Sequence, residues 1–122
     1  MRLLEIHIEV INFERSIDLY MSLIDYVKID IFDSGNTVAL ILQDGTAFGI
    51  WKKGTRGMFN GGGGSHVHFG FQIEPEKYQE YKQRILDAGL EPLEHVWPEG
   101  EKSVYFYDHD GHLGEFMTCD WN

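Results

Sequence analysis

Cysteine and basic residues are scarce in this 122-residue sequence. A single cysteine, Cys119, makes an internal disulfide impossible, and the first residues lack both the longer apolar stretch and the cleavage site of a signal peptide. These two absences predict a cytoplasmic protein. Ten Lys and Arg stand against twenty Asp and Glu, and the net charge of -10 would repel a phosphate backbone, so nucleic-acid binding is not expected. No apolar run approaches the roughly 20 residues that span a bilayer, so no membrane partner is expected.

Phosphate-binding glycine motifs are also missing, although four consecutive glycines occupy positions 61–64. The glycine-rich segment has neither a G-K-[ST] ending nor G-x-G-x-x-G spacing, and the residues after it alternate like a strand instead of starting a helix. We therefore interpret residues 53–65 as a flexible linker.

Hydrophobic periodicity predicts the same order of elements on both sides of this linker. LLEIHIEVI alternates and predicts a strand with Glu5, His7 and Glu9 on one face; FERSIDLYMSLIDY has helical spacing, with Asn12 as N-cap. Three strands are predicted next, in VKIDIFDS, NTVALILQ and TAFGIWK. After the linker the order restarts with a strand in HVHFGFQI, a helix in PEKYQEYKQRILDAG, and strands in LEPLEHVW, KSVYFYDH and HLGEFMTC.

The two halves are an internal repeat. LILQDGTAFGIW (40–51) matches FYDHDGHLGEFM (106–117) at an offset of 66 residues, with Asp-Gly at the same place. The prediction is an α+β fold in which two tandem βαβββ modules form a curved mixed β-sheet cleft. We expect one domain, 1–122, with a first module at 1–52 and a second at 66–118.

Strand parity identifies polar side chains that face inward. His66 and His68 share one face of their strand, and Glu115 shares a face with the apolar Leu113 and Met117. A carboxylate in an apolar row is costly unless it is paired or binds a metal. The alternative is an edge-strand glutamate that faces water.

Three motifs carry a resemblance that covers nearly the whole chain: ERSIDLY, HFGFQIEPEKYQEY and SVYFYDHDGHLGEF. With them the sequence resembles the vicinal oxygen chelate superfamily, which includes glyoxalase I, fosfomycin-modifying metalloenzymes, extradiol dioxygenases and bleomycin-binding proteins. The resemblance implies one divalent metal held by the first strand of each module and the last strand of the second. By position it implies His68 and Glu115 as ligands, and Glu5, or else His7, from the first module.

Comparison of the two halves with each other and with the superfamily also indicates which metals and which catalytic residues to expect. Gly49 matches Glu115, so the fourth ligand of glyoxalase-like members is missing, which argues against glyoxalase I itself. One imidazole with two carboxylates suits Mn²⁺, Fe²⁺, Co²⁺, Ni²⁺ or Mg²⁺, with Zn²⁺ possible. If His7 is not a ligand, it is a candidate general base. Tyr105 lies where fosfomycin-modifying relatives place a substrate-contacting tyrosine, although a structural role is an equal alternative.

Two functions of different class follow. The first is a metal-dependent enzyme of glyoxalase or dioxygenase type (lyase, isomerase, transferase or dioxygenase) that acts on a small oxygen-rich substrate. The second is a metal-free antibiotic-binding protein of bleomycin-resistance type, for which the negative charge and the many aromatic residues suit a cationic compound. Fosfomycin modification is disfavoured because the residues after Glu115 include Asp120 and no arginine. The resemblance also implies a homodimer.

Overall fold

The computed structural model describes residues 1–54 and 68–120, and helices and strands follow one another in the same order in both parts. The first unit contains β1 (Glu5–Val10), α1 (Phe13–Leu23), β2 (Lys28–Phe32), β3 (Thr37–Ile41) and β4 (Ala47–Lys52). The second unit contains β5 (His68–Gln72), α2 (Tyr78–Asp87), β6 (Leu93–Val96), β7 (Lys102–Tyr107) and β8 (Leu113–Met117). The predicted α+β fold of two βαβββ modules is confirmed.

Most of the predicted linker lies outside the described residues, as does His66. The chain divides into two compact units, Met1–Gly62 and Gly63–Asn122. The module boundaries stay predictions. In the parts of the chain that the structure describes, no helix is long and apolar enough to cross a membrane.

The helix α1 begins where the sequence predicts and ends three residues earlier. The Asn12 side chain accepts a hydrogen bond from the Arg15 backbone N–H at 3.1 Å, which satisfies one of the amides that a helix start leaves unpaired. At the other end Ile24 adopts an extended backbone (φ −109°, ψ 149°), and its N–H bonds the Tyr20 carbonyl at 3.0 Å. The predicted helical segment 13–26 therefore stops at Leu23.

The helix α2 starts later than predicted. Pro75–Lys77 form a short 3₁₀ turn, and α2 begins at Tyr78. The turn that follows the helix contains Gly89 with φ +78°, a left-handed conformation that favours glycine. The helix is thus followed by a glycine turn.

Each unit has a four-stranded mixed sheet with the first and last strands of the unit side by side. The strand orders are β1-β4-β3-β2 and β5-β8-β7-β6; β1 pairs with β4 and β5 with β8 in parallel, and the other pairs are antiparallel. The registers correspond, because His7 pairs with Gly49 in the first unit and Gly70 pairs with Glu115 in the second. The internal repeat inferred from the sequence is therefore a structural repeat.

The helix of each unit covers one face of its own sheet. Tyr20 of α1 stacks on Phe48 of β4, and Tyr81 of α2 stacks on Phe116 of β8, both with ring centroids 4.7 Å apart. Burying aromatic rings of this size stabilises the fold by roughly 1.5–3 kcal/mol each. The polar residues of the strands are consequently left on the opposite face.

A tight turn joins β7 to β8 and is held by one buried carboxylate. Asp108 Oδ1 accepts hydrogen bonds from the backbone N–H groups of Asp110 and His112, both at 2.9 Å, and Asp108 Oδ2 lies 2.8 Å from His112 Nδ1. The hydrogen bond to Asp108 raises the pKa of His112, against a smaller opposing effect of burial. The imidazolium form of His112 thus stabilises the turn.

We expect replacement of His112 by Asn to change how stability depends on pH. A pKa raised by folding means that the stabilisation is fully present below the unfolded pKa of about 6.5 and is lost as the pH rises through the folded pKa. In urea denaturation, the advantage of wild type over His112→Asn should be larger at about pH 5.5 than at about pH 9. The exposed His109, changed to Asn, is the matched control. An advantage that grows with pH would contradict the role assigned to Asp108.

Candidate functional site

Three polar side chains converge on the open face of the second unit. Strand register places Tyr105 and Gly70 on either side of Glu115, and His68 lies two residues further along the same face of β5. The His68 and Tyr105 rings are 6.4 Å apart between centroids. Glu115 is only 3 % exposed. With Trp97 these side chains line a cavity of about 600 Å³.

Glu115 is buried beside a tyrosine that keeps its proton. Burial raises the pKa of Tyr105, and the charge of Glu115 and a hydrogen bond to it raise that pKa further, against a smaller lowering by Ser103. The phenol therefore stays protonated at neutral pH and donates to the carboxylate. This bond explains how a carboxylate can sit in an apolar row.

Gly70 leaves the space next to Glu115 open. A Cβ at Gly70 would lie 3.2 Å from Met117 Sδ and 3.8 Å from the Glu115 Cβ. The glycine therefore adds no side chain to the cavity wall at this point.

The open face of the first unit carries a different polar set. Glu5, His7 and Glu9 alternate along β1 and, with Trp51 of β4, line a second cavity of about 510 Å³. The predicted shared face of the three β1 residues is confirmed. Both cavities are lined by acidic side chains.

His7 makes one hydrogen bond and one ion-pair contact. The Trp51 indole Nε1–H donates to His7 Nδ1 at 2.6 Å, and His7 Nε2 lies 3.2 Å from Glu5 Oε2. The His7 and Trp51 rings meet edge to face, with centroids 5.2 Å apart. Trp51, His7 and Glu5 are thus in contact in a row across β4 and β1, with a hydrogen bond between the first two.

Gly49 makes room for this arrangement. A Cβ at Gly49 would overlap the His7 ring, at Nδ1, Cε1 and Cγ. In the first unit the large side chain, His7, is therefore on β1 and the glycine is on β4. The second unit has the reverse arrangement, with Gly70 on β5 and the large side chain, Glu115, on β8.

The structure thus groups the predicted site residues within each unit. His68, Glu115 and Tyr105 share one face and one cavity of the second unit, and Glu5 and His7 are in contact in the first. By strand register Glu5 is the counterpart of His68, since Glu5 pairs with Ala47 as His68 pairs with Leu113. Their roles as metal ligands or catalytic groups stay predictions.

Another cluster was not predicted from the sequence. Among the described residues, Asp108, Asp110 and His112 have ligand-type atoms within 4.8 Å of one another. Both oxygens of Asp108 already accept hydrogen bonds inside the β7–β8 turn. The D-x-D-G-H spacing is a turn signal that could have indicated this cluster.

Solved structures with the same fold superpose on nearly the whole chain. A FosX from Listeria monocytogenes aligns with a TM-score of 0.78 at 23% identity, over 98% of this chain and 92% of that one. A glyoxalase/dioxygenase from Nostoc punctiforme aligns with a TM-score of 0.74 at 18% identity, over 99% and 92%. Another FosX structure from Listeria monocytogenes is a complex with Mn(II) and 1S,2S-dihydroxypropylphosphonic acid.

Curated relatives match a shorter part of the chain. The fosfomycin resistance protein FosX of Listeria innocua is 48% identical over 53 residues, which are 42% of this chain and 40% of that protein. The metallothiol transferase FosB of Shouchella clausii is 41% identical over 58 residues, which are 44% of this chain and 39% of that protein. The chain thus covers about two fifths of the length of the curated relatives it matches. No family model matches.

These findings confirm the resemblance to the vicinal oxygen chelate superfamily. The matches include fosfomycin resistance proteins and glyoxalase-type proteins, so they agree on the superfamily and differ in the named activity.

We expect Gly49→Ala to break the hydrogen bond between Trp51 and His7. The new methyl group would occupy the position of the His7 ring, which is 28 % exposed and can turn toward solvent. The variant should fold with a loss of roughly 1–3 kcal/mol, as for other overpacked sites. The indole N–H resonance of Trp51 in NMR spectra should move because its acceptor is lost.

Gly70→Ala is the matched control, because it adds the same methyl group at the corresponding position of the second unit. Its nearest neighbour would be the flexible end of Met117, so its cost should be smaller and the Trp51 resonance unchanged. An unshifted Trp51 resonance in Gly49→Ala would contradict the packing described here.

Proposed function

We propose that this protein is a divalent-metal-dependent enzyme of the vicinal oxygen chelate superfamily that acts on a small oxygen-rich substrate. His68 and Glu115 of the second unit, with Glu5 of the first, are the proposed ligands. The observation that carries the proposal is the Glu115 carboxylate, which is 3 % exposed yet lines a cavity that His68 also lines.

The donor set fits a divalent cation. A buried carboxylate is stabilised by a cation at its exposed edge, and one imidazole with two carboxylates suits Mn²⁺ and similar ions. A FosX with the same fold holds Mn(II) in its solved complex, which supports the same class of ion here. Such a metal, when bound, would polarise an oxygen of the substrate.

Tyr105 is the proposed hydrogen-bond donor of the site. Its pKa is raised, first by burial and then by Glu115, so that it remains a phenol at neutral pH. A protonated phenol can donate to a substrate oxygen that gains negative charge. Nδ1 of His7 accepts a hydrogen bond from Trp51 and Nε2 lies 3.2 Å from Glu5, which favours an orienting role over the general-base role that the sequence also allowed.

The charge of the cavity walls supports a substrate that is neutral or cationic. Among the described residues that line the two cavities, Glu5, Glu9, Glu115 and Asp120 are acidic and none is Lys or Arg. A phosphonate dianion would be repelled by these carboxylates, and no guanidinium is among the described residues that line the two cavities. Neutral metal-chelating compounds such as diketones and catechols meet no such penalty.

The second candidate is a metal-free binding protein for a cationic aromatic compound. The acidic cavity walls and the half-buried rings of Trp97 and Tyr105 favour it. The two candidates differ in whether the buried Glu115 needs a metal, and the metal measurement below separates them. A two-fold dimer stays a prediction in either case.

We expect the purified chain to bind a single divalent ion with His68 and Glu115 as essential ligands. His68→Ala and Glu115→Gln should each weaken Mn²⁺ binding by about a hundredfold or more, because each removes a ligand and not merely its support. Elemental analysis after reconstitution and titration calorimetry measure stoichiometry and affinity.

Glu80→Gln on the surface of α2 is the control, because it removes the same charge outside both cavities. Absence of metal from the reconstituted wild type, or equal affinity in wild type and Glu115→Gln, would refute the metalloenzyme proposal. Tight binding of a cationic drug by the same metal-free protein would then support the second candidate.

We also expect the metal-loaded protein to prefer uncharged chelating substrates over fosfomycin. Carboxylate-lined walls disfavour a phosphonate, so diketones, hydroxy ketones or catechols should be converted, whereas fosfomycin should be converted slowly or not at all. Substrate loss followed by NMR, with metal-free protein as control, measures both. Rapid metal-dependent loss of fosfomycin would overturn the inference from cavity charge.

A further inference from the structure

We propose that Trp51 and His7 form a positioning pair that fixes the orientation of Glu5. The inference rests on the proposed function, in which Glu5 is the metal ligand from the first unit. It goes further by assigning roles to two residues that are not ligands themselves.

The direction of the hydrogen bonds follows from the chemistry of tryptophan. The indole Nε1–H can only donate, so His7 Nδ1, 2.6 Å away, must be an unprotonated acceptor. A neutral imidazole with a free Nδ1 lone pair carries its proton on Nε2. Nε2 lies 3.2 Å from Glu5 Oε2, so it is the proton on this nitrogen that can interact with the carboxylate.

The exposure of Glu5 explains why it needs such a partner. Its side chain is 59 % exposed, and an exposed glutamate samples several rotamers. A hydrogen bond to one carboxylate oxygen restricts the rotamers and leaves the other oxygen to coordinate a cation. Outer partners of this kind typically contribute about 10–100-fold to metal affinity.

The position of His7 in the repeat explains why the Trp51–His7 pair fits between the strands. His7 stands where the second unit has Gly70, and Gly49 stands where the second unit has Glu115. A carboxylate side chain at position 49 and the imidazole at position 7 exclude each other, because they would occupy the same space. In the first unit a positioning histidine has replaced a possible further ligand.

The first test is the protonation site of His7, measured by nitrogen NMR on the full metal-free chain at one pH. We expect the proton on Nε2 in the wild type and a mixture of both tautomers in Trp51→Phe, which keeps an aromatic ring but lacks the N–H. Trp97→Phe is the matched control, because the Trp97 N–H bonds Ser103 Oγ and not His7. A proton on Nδ1 of His7 in the wild type would overturn the proposal.

The second test is a double-mutant cycle on Mn²⁺ affinity. Trp51→Phe should weaken binding severalfold and His7→Ala by about tenfold or more, with partial rescue by His7→Gln, whose amide can still donate to Glu5. In a Glu5→Gln background, Trp51→Phe should have no further effect, because the carboxylate it orients is gone. An undiminished effect of Trp51→Phe in that background would overturn the positioning role.

The two proposals can fail separately. Mn²⁺ binding that depends on His68 and Glu115 but not on Glu5 would refute the positioning role and leave the metal site of the second unit. Failure of the wild type to bind Mn²⁺ would refute the proposed function, and with it any positioning of a ligand, even if the Nε2 tautomer is found.

Discussion

The parallel pairing of the first and last strands in each unit is the constraint on which the arrangement of the open faces depends. A Cβ at position 49 would overlap the His7 ring, so this large side chain on β1 requires glycine on β4. In the first unit His7 is opposite Gly49, and in the second unit Gly70 is opposite Glu115. The same register brings Tyr105 beside Glu115 from the third strand of its sheet.

Hydrophobic periodicity predicted the helices and strands because burial in the core imposes this periodicity on the sequence. It predicted which face a side chain occupies better than it predicted where a helix ends. Alternation along β1 identified the shared face of Glu5 and His7, and the offset of the two halves identified Gly49 as the counterpart of Glu115. The helix ends were less predictable: Ile24 fits a helical pattern but adopts an extended backbone. A buried apolar residue can pack against the core from the last turn of a helix or from the segment that follows it, so its hydrophobicity does not locate the helix end.

Contacts across strands could be predicted only in part. Parity tells which face a side chain occupies, whereas its hydrogen-bond partner depends on register and on the length of the neighbouring side chain. The sequence therefore indicated His7 and Glu5 as alternatives for one role and did not indicate that Trp51 bonds His7. Likewise, His112 and Asp108 form a turn whose bonds follow from local geometry that apolar periodicity does not report.

The two units orient their carboxylates by different physical means. Glu115 is buried, so packing fixes its rotamer, and the Tyr105 phenol needs only to satisfy its charge. Glu5 is largely exposed, so packing cannot fix it, and a rigid donor must do so. The His7 ring is such a group, because the hydrogen bond from Trp51 holds it in the space left by Gly49, with Nε2 3.2 Å from Glu5 Oε2. The two copies of the repeat thus keep the same strand geometry but orient their carboxylates differently, by packing around Glu115 and by contact with His7 at Glu5.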